Sequence, residues 1–296
     1  MPSLWNKEQE KDFFEKTLEC ANPEKLFYRT NDGRFLAYWP KHYDYTKTTL
    51  QSRNAFIGSY TEKWCAALFS KIAEFVDGYS VPRVICEQIG LTKQSPADVA
   101  ICKSRDSVQR PQNILLLIEV KMSIVWNWEY IPTMGQKFKL ACIGDYRTHQ
   151  GNPGLLRSDT MLKAIGKSIN IRVSSFAASA IPIIVVGNTP ITNSYYDKVD
   201  HLGKSGIIQG FWSVNPVPLD ISRDDIKNTP ANGFHRFDSY EELKTLSLEL
   251  LKEDREFFSS MQNKKNLGKL IEIADRETTY EAKAQRFLSL LRQGNE

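Results

Sequence analysis

The sequence lacks the motifs that mark several common enzyme classes. Its five cysteines form no Cys-x-x-Cys pair and its four histidines are scattered, which argues against a zinc site or a disulfide framework. It also has no Walker P-loop, no Gly-x-Gly-x-x-Gly after a strand and no Gly-x-Ser-x-Gly elbow. P-loop NTPases, dinucleotide-dependent enzymes and serine hydrolases of the usual type are therefore not indicated.

Long apolar runs are also missing. No run approaches the roughly 18 residues of a membrane span, and the Met1 end lacks the apolar segment of a signal peptide. An odd number of cysteines suits a reducing compartment, so we expect a cytoplasmic protein without a membrane partner. The chain of 296 residues, 41% of them hydrophobic, can build one large core or two modest ones. Its net charge of +4 permits nucleic-acid binding without requiring it.

One short apolar run ends in charged residues. The segment Ile114–Ile118 has no Gly or Pro and is followed by Glu119-Val120-Lys121, which predicts a strand covered on both faces. Because side chains alternate along a strand, Glu119 and Lys121 project from the same face, roughly 6.6 Å apart. The sequence therefore places an acid beside a base at the end of a buried strand.

A second acid precedes this strand. Asp98 opens the apolar stretch Val99–Cys102, and the polar segment 103–113 is long enough to turn the chain back. We therefore expect a hairpin that brings Asp98 next to Glu119.

Two carboxylates form a ligand set for Mg²⁺, which takes oxygen ligands together with water and phosphate oxygens. A nearby lysine either orients and deprotonates the attacking water or stays cationic and stabilises developing charge; the sequence leaves both roles open. The plain structural alternative is an ordinary ion pair at the wet end of a strand, with Asp98 as a turn residue.

Pro96-Ala97-Asp98 together with Glu119-Val120-Lys121 resembles the motif of the PD-(D/E)XK nuclease superfamily, with Ala97 interposed in the usual Pro-Asp pair. The resemblance implies an α/β fold with an αβββαβ core, in which helices flank a central mixed sheet. It also implies that Asp98 and Glu119 bind Mg²⁺ and that Lys121 acts on the water or on the transition-state charge.

A helix is predicted over Ser59–Val76, with Thr61 as a possible cap, and a strand over Val81–Gln88. Glu62 lies on the apolar side of this helix. It either complements the helix dipole or, as the resemblance implies, supports the metal through bound water.

A later helix, Thr160–Arg172, has an apolar stripe of Leu162, Ile165 and Ile169, and a strand is predicted over Ile181–Asn188. Lys163 and Lys167 lie on another face of that helix. They either contact phosphates or form a solvated helix face.

The stretch 123–157 is long for a connection inside a compact core. Its aromatic residues alternate with side chains suited to DNA, so we expect a DNA-contacting insertion; the alternative is an extra hairpin that extends the sheet. The candidate DNA-binding residues are Lys137, Lys139, Arg147, His149, Gln150, Asn152 and Arg157.

We divide the chain into an N-terminal helical and irregular extension (1–57), a nuclease core (58–235) and a helical C-terminal region (236–296) on the core or at a dimer interface. Its size favours a stand-alone enzyme. The hypothesis is a Mg²⁺-dependent, site-specific double-strand DNA endonuclease similar to type II restriction enzymes, acting as a homodimer. The alternatives are a structure- or damage-specific nuclease, a DNA-binding protein with an inactive nuclease core, and an α/β protein in which the motif is accidental.

Overall fold

The computed structural model describes residues 2–48, 50–134, 137–219, 226–253, 256–257 and 262–293. The chain divides into two compact units, Met1–Arg255 and Glu256–Glu296. The first unit contains the helices α1 (Lys7–Leu18), α2 (Gln51–Glu74), α3 (Ser158–Ser174), α4 (Tyr196–Lys204) and α5 (Tyr240–Lys252). The second contains α6 (Lys264–Ala274) and α7 (Tyr280–Gln293). The boundary between the units therefore follows α5.

The strands of the first unit form two sheets. The strands are β1 (Tyr28–Arg29), β2 (Phe35–Leu36), β3 (Tyr79–Val84), β4 (Ala97–Cys102), β5 (Ile114–Val120), β6 (Asn127–Pro132), β7 (Phe138–Gly144), β8 (Ile183–Gly187), β9 (Gly210–Ser213) and β10 (Phe234–Arg236). The larger sheet has the order β10-β9-β8-β5-β4-β3. In it, β3, β4 and β5 pair antiparallel, whereas β5, β8, β9 and β10 pair parallel. The fold is thus α/β with a mixed sheet.

Strand β5 lies inside this sheet, between β4 and β8. Its continuous apolar sequence follows from burial on both faces. Leu116 and Ile118 pack in a core cluster with Phe69 of α2, while Leu117 packs in another cluster with Ile171 of α3. Helices therefore flank the sheet on both sides, and the charged end of β5 lies between them.

The first flanking helix is longer than the sequence predicted. Helix α2 begins at Gln51, ten residues or nearly three turns before Thr61. Thr61 is consequently not a cap: it is buried, and its hydroxyl donates to the Ile57 carbonyl over 2.8 Å. Glu62 is also too far from the helix start for the dipole interpretation, because that effect fades within the first turn.

Helix α3 faces the sheet with different residues from those expected. Of the predicted apolar stripe, Ile165 packs against the core, but Leu162 and Ile169 are exposed, at 62% and 40% of their surface. The buried side is made by small and polar residues as well as apolar ones: Met161, Ala164, Ser168, Ile171 and Arg172. The packing face is therefore rotated about the helix axis relative to the predicted one, and Lys167 lies next to it.

The stretch 123–157 contributes to the second sheet, whose order is β1-β2-β6-β7. Strands β6 and β7 form an antiparallel hairpin, and β2 pairs with β6 through Phe35 and Leu36. Residues from the N-terminal segment are thus part of the same structure as the insertion, and the hairpin does not extend the six-stranded sheet.

Across the described ranges, no helix is both long and apolar enough to cross a membrane. The five cysteines are free thiols.

Candidate active site

Strands β4 and β5 bring the two predicted acids together. Val99 pairs with Ile118 in the antiparallel ladder, so continuing that register by one residue places Asp98 opposite Glu119. The Val120 N–H donates to Asp98 Oδ2 over 2.8 Å. This hydrogen bond orients the Asp98 carboxylate toward the end of β5.

Lys121 joins the two acids from the end of the same strand. Its Nζ lies 3.5 Å from Asp98 Oδ2 and also donates to Glu119 Oε1. It further donates to the Val120 carbonyl over 3.2 Å. The Lys121 ammonium thus contacts three oxygens, one each from Asp98, Glu119 and the Val120 carbonyl.

A second lysine binds the same pair of carboxylates. Lys167 Nζ lies 3.1 Å from Asp98 Oδ1 and 2.5 Å from Glu119 Oε2. The sequence placed Lys167 with Lys163 as a phosphate contact, but their environments differ: the Lys167 side chain is 19% exposed and that of Lys163 is 76% exposed. Correct assignment of the buried face of α3 would have indicated this position.

Burial and charge act in opposite directions on this cluster. Burial, and then the charge of Asp98, raises the pKa of Glu119, although Lys121 and Lys167 oppose that shift. For Lys167, burial lowers the pKa, but the charges of Glu119 and Asp98 outweigh it and the net shift is upward. The raised Lys167 pKa keeps this side chain cationic at neutral pH, where it offsets the charge of the two acids.

Glu62 and Arg83 lie around this cluster without forming an ion pair with it among the residues that the structure describes. Glu62 of α2 is half-buried, and burial followed by the charge of Asp98 raises its pKa. Arg83 lowers the same pKa. Arg83 is exposed and has a φ of +53°, in the left-handed region.

The oxygens of this cluster fit a hard cation. Within the described part of the chain, no group of three or more His, Cys, Asp or Glu side chains is placed to hold a metal ion. Asp98 and Glu119 nevertheless supply two carboxylates beside the Val120 carbonyl, and Mg²⁺ commonly takes one or two carboxylates and fills its other positions with water or phosphate. In this structure the lysine ammoniums lie on those carboxylates, so a metal ion would compete with them.

The other predicted DNA-binding residues divide into two groups. Lys137, Lys139 and Arg147 are exposed on β7 and the segments beside it. His149 is only 3% exposed and stacks on Tyr38, with ring centroids 3.8 Å apart. The structure thus places the His149 ring inside the protein, whereas Lys137, Lys139 and Arg147 lie at the surface.

Gln150, Asn152 and Arg157 lie beside a cavity. The cavity has a volume of about 460 Å³, and its other walls include Tyr28, Trp39 and Arg53. Sequence reasoning missed these last three residues. They come from the segment that looked irregular, where neither strand nor helix periodicity marks them.

The fold and the site together describe an α/β protein with paired carboxylates and two lysines at the end of a mixed sheet. Comparisons with protein-family models, with curated proteins and with solved structures find no match.

Proposed function

We propose that this protein is a Mg²⁺-dependent double-strand DNA endonuclease that cuts at specific sites. The observation that carries the proposal is the convergence of Asp98, Glu119 and Lys121 at one end of the β4–β5 hairpin. A buried acid, Glu119, beside a partly buried one, Asp98, is costly unless the two are paired with cations. The arrangement is the one that the resemblance to the PD-(D/E)XK nucleases implies, and the mixed sheet flanked by helices is compatible with such a core.

Each group has a role in phosphodiester hydrolysis. Asp98 and Glu119 would hold Mg²⁺, which when bound lowers the pKa of its water and offsets charge on the transition state. Lys121 as an ammonium stabilises negative charge at the phosphate, and as an amine it takes the proton of the attacking water. Lys167 holds the two carboxylates in place from α3, and Glu62 adds a half-buried acid nearby.

The proposed partner is duplex DNA. Exposed Lys137, Lys139 and Arg147, together with Lys163 of α3, are the proposed phosphate and base contacts. We also propose a homodimer, because a two-fold enzyme reads a palindromic site and each subunit cuts one strand. A cytoplasmic location agrees with free thiols, which a reducing compartment preserves.

A structure- or damage-specific nuclease is the second candidate function. The cavity beside Tyr28, Trp39 and Arg53 favours it, because an unpaired or damaged nucleotide leaves the helix stack more easily than a paired one. Under this alternative, branched or lesion-bearing DNA is cut in preference to intact duplex.

The test is incubation of the purified full chain with long unmethylated duplex DNA of known sequence, with Mg²⁺ or with EDTA. Discrete bands that require Mg²⁺ support the site-specific endonuclease. A smear indicates a less selective nuclease. If intact duplex survives, the same assay with branched and lesion-bearing duplexes separates the second candidate from a protein without nuclease activity.

A further inference from the structure

Arg83 occupies the position opposite Asp98 in the six-stranded sheet. The pairs on either side of this position share one antiparallel register, and they are Pro82 with Val99 and Val84 with Ala97. Residues directly opposite each other in such a ladder have Cα atoms roughly 5 Å apart. Because Asp98 lies in turn opposite Glu119, the backbone of Arg83 stands in the same row as the two carboxylates, one strand further out.

The alternation of side chains along β3 is interrupted at Arg83. Val81 and Val84 are buried, whereas Pro82 and Arg83 between them are exposed. In a regular strand every second residue faces the same side, so Arg83 would share the buried side of Val81. Its φ of +53° breaks this alternation, and the Arg83 side chain is exposed to solvent as a result.

This backbone conformation is unfavourable for arginine. The left-handed region brings Cβ too close to the following carbonyl oxygen, and mainly Gly, Asn and Asp tolerate it. Among the described residues, the other non-glycine positions with a positive φ are Asp77 and Asn232, which belong to those tolerant types. Strained backbone persists where the surrounding structure imposes it, and it concentrates at functional sites. The strain at Arg83 therefore singles out a side chain beside the candidate active site.

The guanidinium of Arg83 is available to an anion from outside the protein. Its cross-strand neighbour Asp98 is already paired with Lys121 and Lys167, and Arg83 forms no ion pair in the described part of the chain. It is nevertheless close enough to the cluster for its charge to lower the pKa of Glu62. An exposed cation therefore stands next to carboxylates whose own charge is largely compensated by lysines.

We propose that Arg83 binds a phosphate group of the substrate beside the paired carboxylates. A guanidinium presents a rigid, planar fork of N–H donors that matches two phosphate oxygens at once. The left-handed backbone directs this fork to solvent, and the register keeps it one strand from Asp98. That the phosphate belongs to duplex DNA rests on the proposed function. Arg83 is thus a substrate-binding residue that the sequence motif does not include.

The first measurement is the affinity of the full chain for a short duplex at several salt concentrations. EDTA is present, which prevents Mg²⁺-dependent cleavage. Arg83→Gln keeps a long polar side chain and removes the charge. Each phosphate contact contributes about 0.9 to the slope of log affinity against log salt, so the slope of Arg83→Gln should be smaller in magnitude by about 0.9. Arg83→Lys retains a cation for the phosphate and should recover most of this loss.

Arg105→Gln is the matched control. Arg105 is also exposed, and its guanidinium lies over the ring of Tyr79, at the other end of β3, 4.7 Å from the ring centroid. The control makes the same substitution and should keep the native slope. The second measurement is steady-state cleavage with Mg²⁺, in which Arg83→Gln should raise KM for DNA about tenfold or more, because a hydrogen-bonded charge pair is lost. Chemical denaturation of each variant separates this effect from a loss of folding.

The two proposals fail in different ways. If the native protein binds and cuts DNA while Arg83→Gln keeps both the slope and KM, the assignment of Arg83 is overturned and the proposed function stands. If Arg105→Gln reduces the slope as much as Arg83→Gln, the slope reflects net charge alone, which also overturns the assignment. A native protein that binds duplex without cutting it, together with a reduced slope in Arg83→Gln, overturns the endonuclease and keeps the phosphate contact. Absence of duplex binding by the native protein overturns both.

Discussion

Lys167 and Asp98 form a partly buried ion pair between α3 and β4, with 3.1 Å between Nζ and Oδ1. Lys121 approaches the other oxygen of the same carboxylate at 3.5 Å. Asp98 is therefore held between a lysine of its own hairpin and one from a helix far along the chain. Helix α3 thus takes part in forming the candidate site as well as in covering the sheet.

Replacing Lys167 with Met should destabilise the protein, because the negative charges of Asp98 and Glu119 are then less well compensated. The variant keeps the length of the side chain but leaves the carboxylates with one cation fewer, and breaking a buried pair costs about 3 kcal/mol of the free energy of unfolding. Mg²⁺ should stabilise the variant more than the native protein, because it no longer competes with Lys167. The measurement is thermal unfolding with EDTA and with Mg²⁺.

Lys163→Met, on the exposed side of the same helix, is the control for that comparison. It should leave both the free energy of unfolding and its Mg²⁺ response close to the native values. An equally small effect of Lys167→Met would show that the ion pairs do not hold the carboxylates together.

The variant Arg83→Gly tests whether Arg83 contributes to cleavage independently of its effect on the free energy of unfolding. At a φ of +53°, an arginine costs about 1 kcal/mol that glycine avoids, but glycine's added freedom in the unfolded chain offsets most of that gain, so the free energy of unfolding should change by less than about 1 kcal/mol. Because Arg83 acts electrostatically on Glu62 beside the site, cleavage should fall. Chemical denaturation and cleavage rates of the same preparation test both parts.

Asp77→Gly is the matched control, since Asp77 has a φ of +51° at a distance in sequence from the motif. It should also change the free energy of unfolding by less than about 1 kcal/mol and leave cleavage unchanged. If Arg83→Gly cleaves as fast as Asp77→Gly, Arg83 has no part in the reaction.

Glu10 lies outside the candidate site, and its carboxyl should make the stability of the protein depend on pH. It is fully buried and accepts hydrogen bonds from the Val125 and Trp126 N–H groups, at 2.8 and 2.9 Å. Burial raises the pKa of Glu10 to about 8. A raised carboxyl pKa stabilises the folded protein at low pH, and this contribution is lost as pH rises from about 4.5 through about 8.

Denaturant unfolding at pH 6 and at pH 8.5 measures that contribution. The native protein should lose stability between these values, and Glu10→Gln should lose less, whatever its stability at pH 6. Identical pH dependence in both proteins would mean that Glu10 is ionised throughout.

DNA binding should depend on salt through Lys137 and Lys139. Each phosphate contact contributes about 0.9 to the slope of log affinity against log salt. Lys137→Ala combined with Lys139→Ala should therefore reduce the magnitude of the slope by up to about 1.8. A slope near zero in the native protein would support the alternative of an α/β protein that does not bind nucleic acid.

The β4–β5 hairpin could be predicted because the sequence features that indicate it lie close together in the chain. The apolar run of β5, the turn segment before it and the acids at its end all lie within 24 residues, from Asp98 to Lys121. Lys167 could not be placed in the same way. The buried face of α3 uses Ala164 and Ser168, whose small side chains give no clear periodic signal.

The cavity and the second sheet depend on contacts between distant segments. Strands β1 and β2 have two residues each, too few for alternation to be detected. The pairing of Leu36 with Glu129 exists only because the insertion folds back on the N-terminal segment. Arg53 was assigned to an irregular extension, whereas it belongs to the first turn of α2.

The most direct test of the account is cleavage of duplex DNA by Asp98→Ala and Lys121→Ala beside the native protein, with DNA binding measured in EDTA. Glu87→Gln and Lys71→Ala, at exposed positions outside the site, are the charge-matched controls. Loss of an acid–base group costs about 10² to 10⁴ in rate. The account predicts Mg²⁺-dependent cleavage by the native protein and both controls, and none detectable with either site variant, which still bind DNA. Full cleavage by either site variant would contradict it.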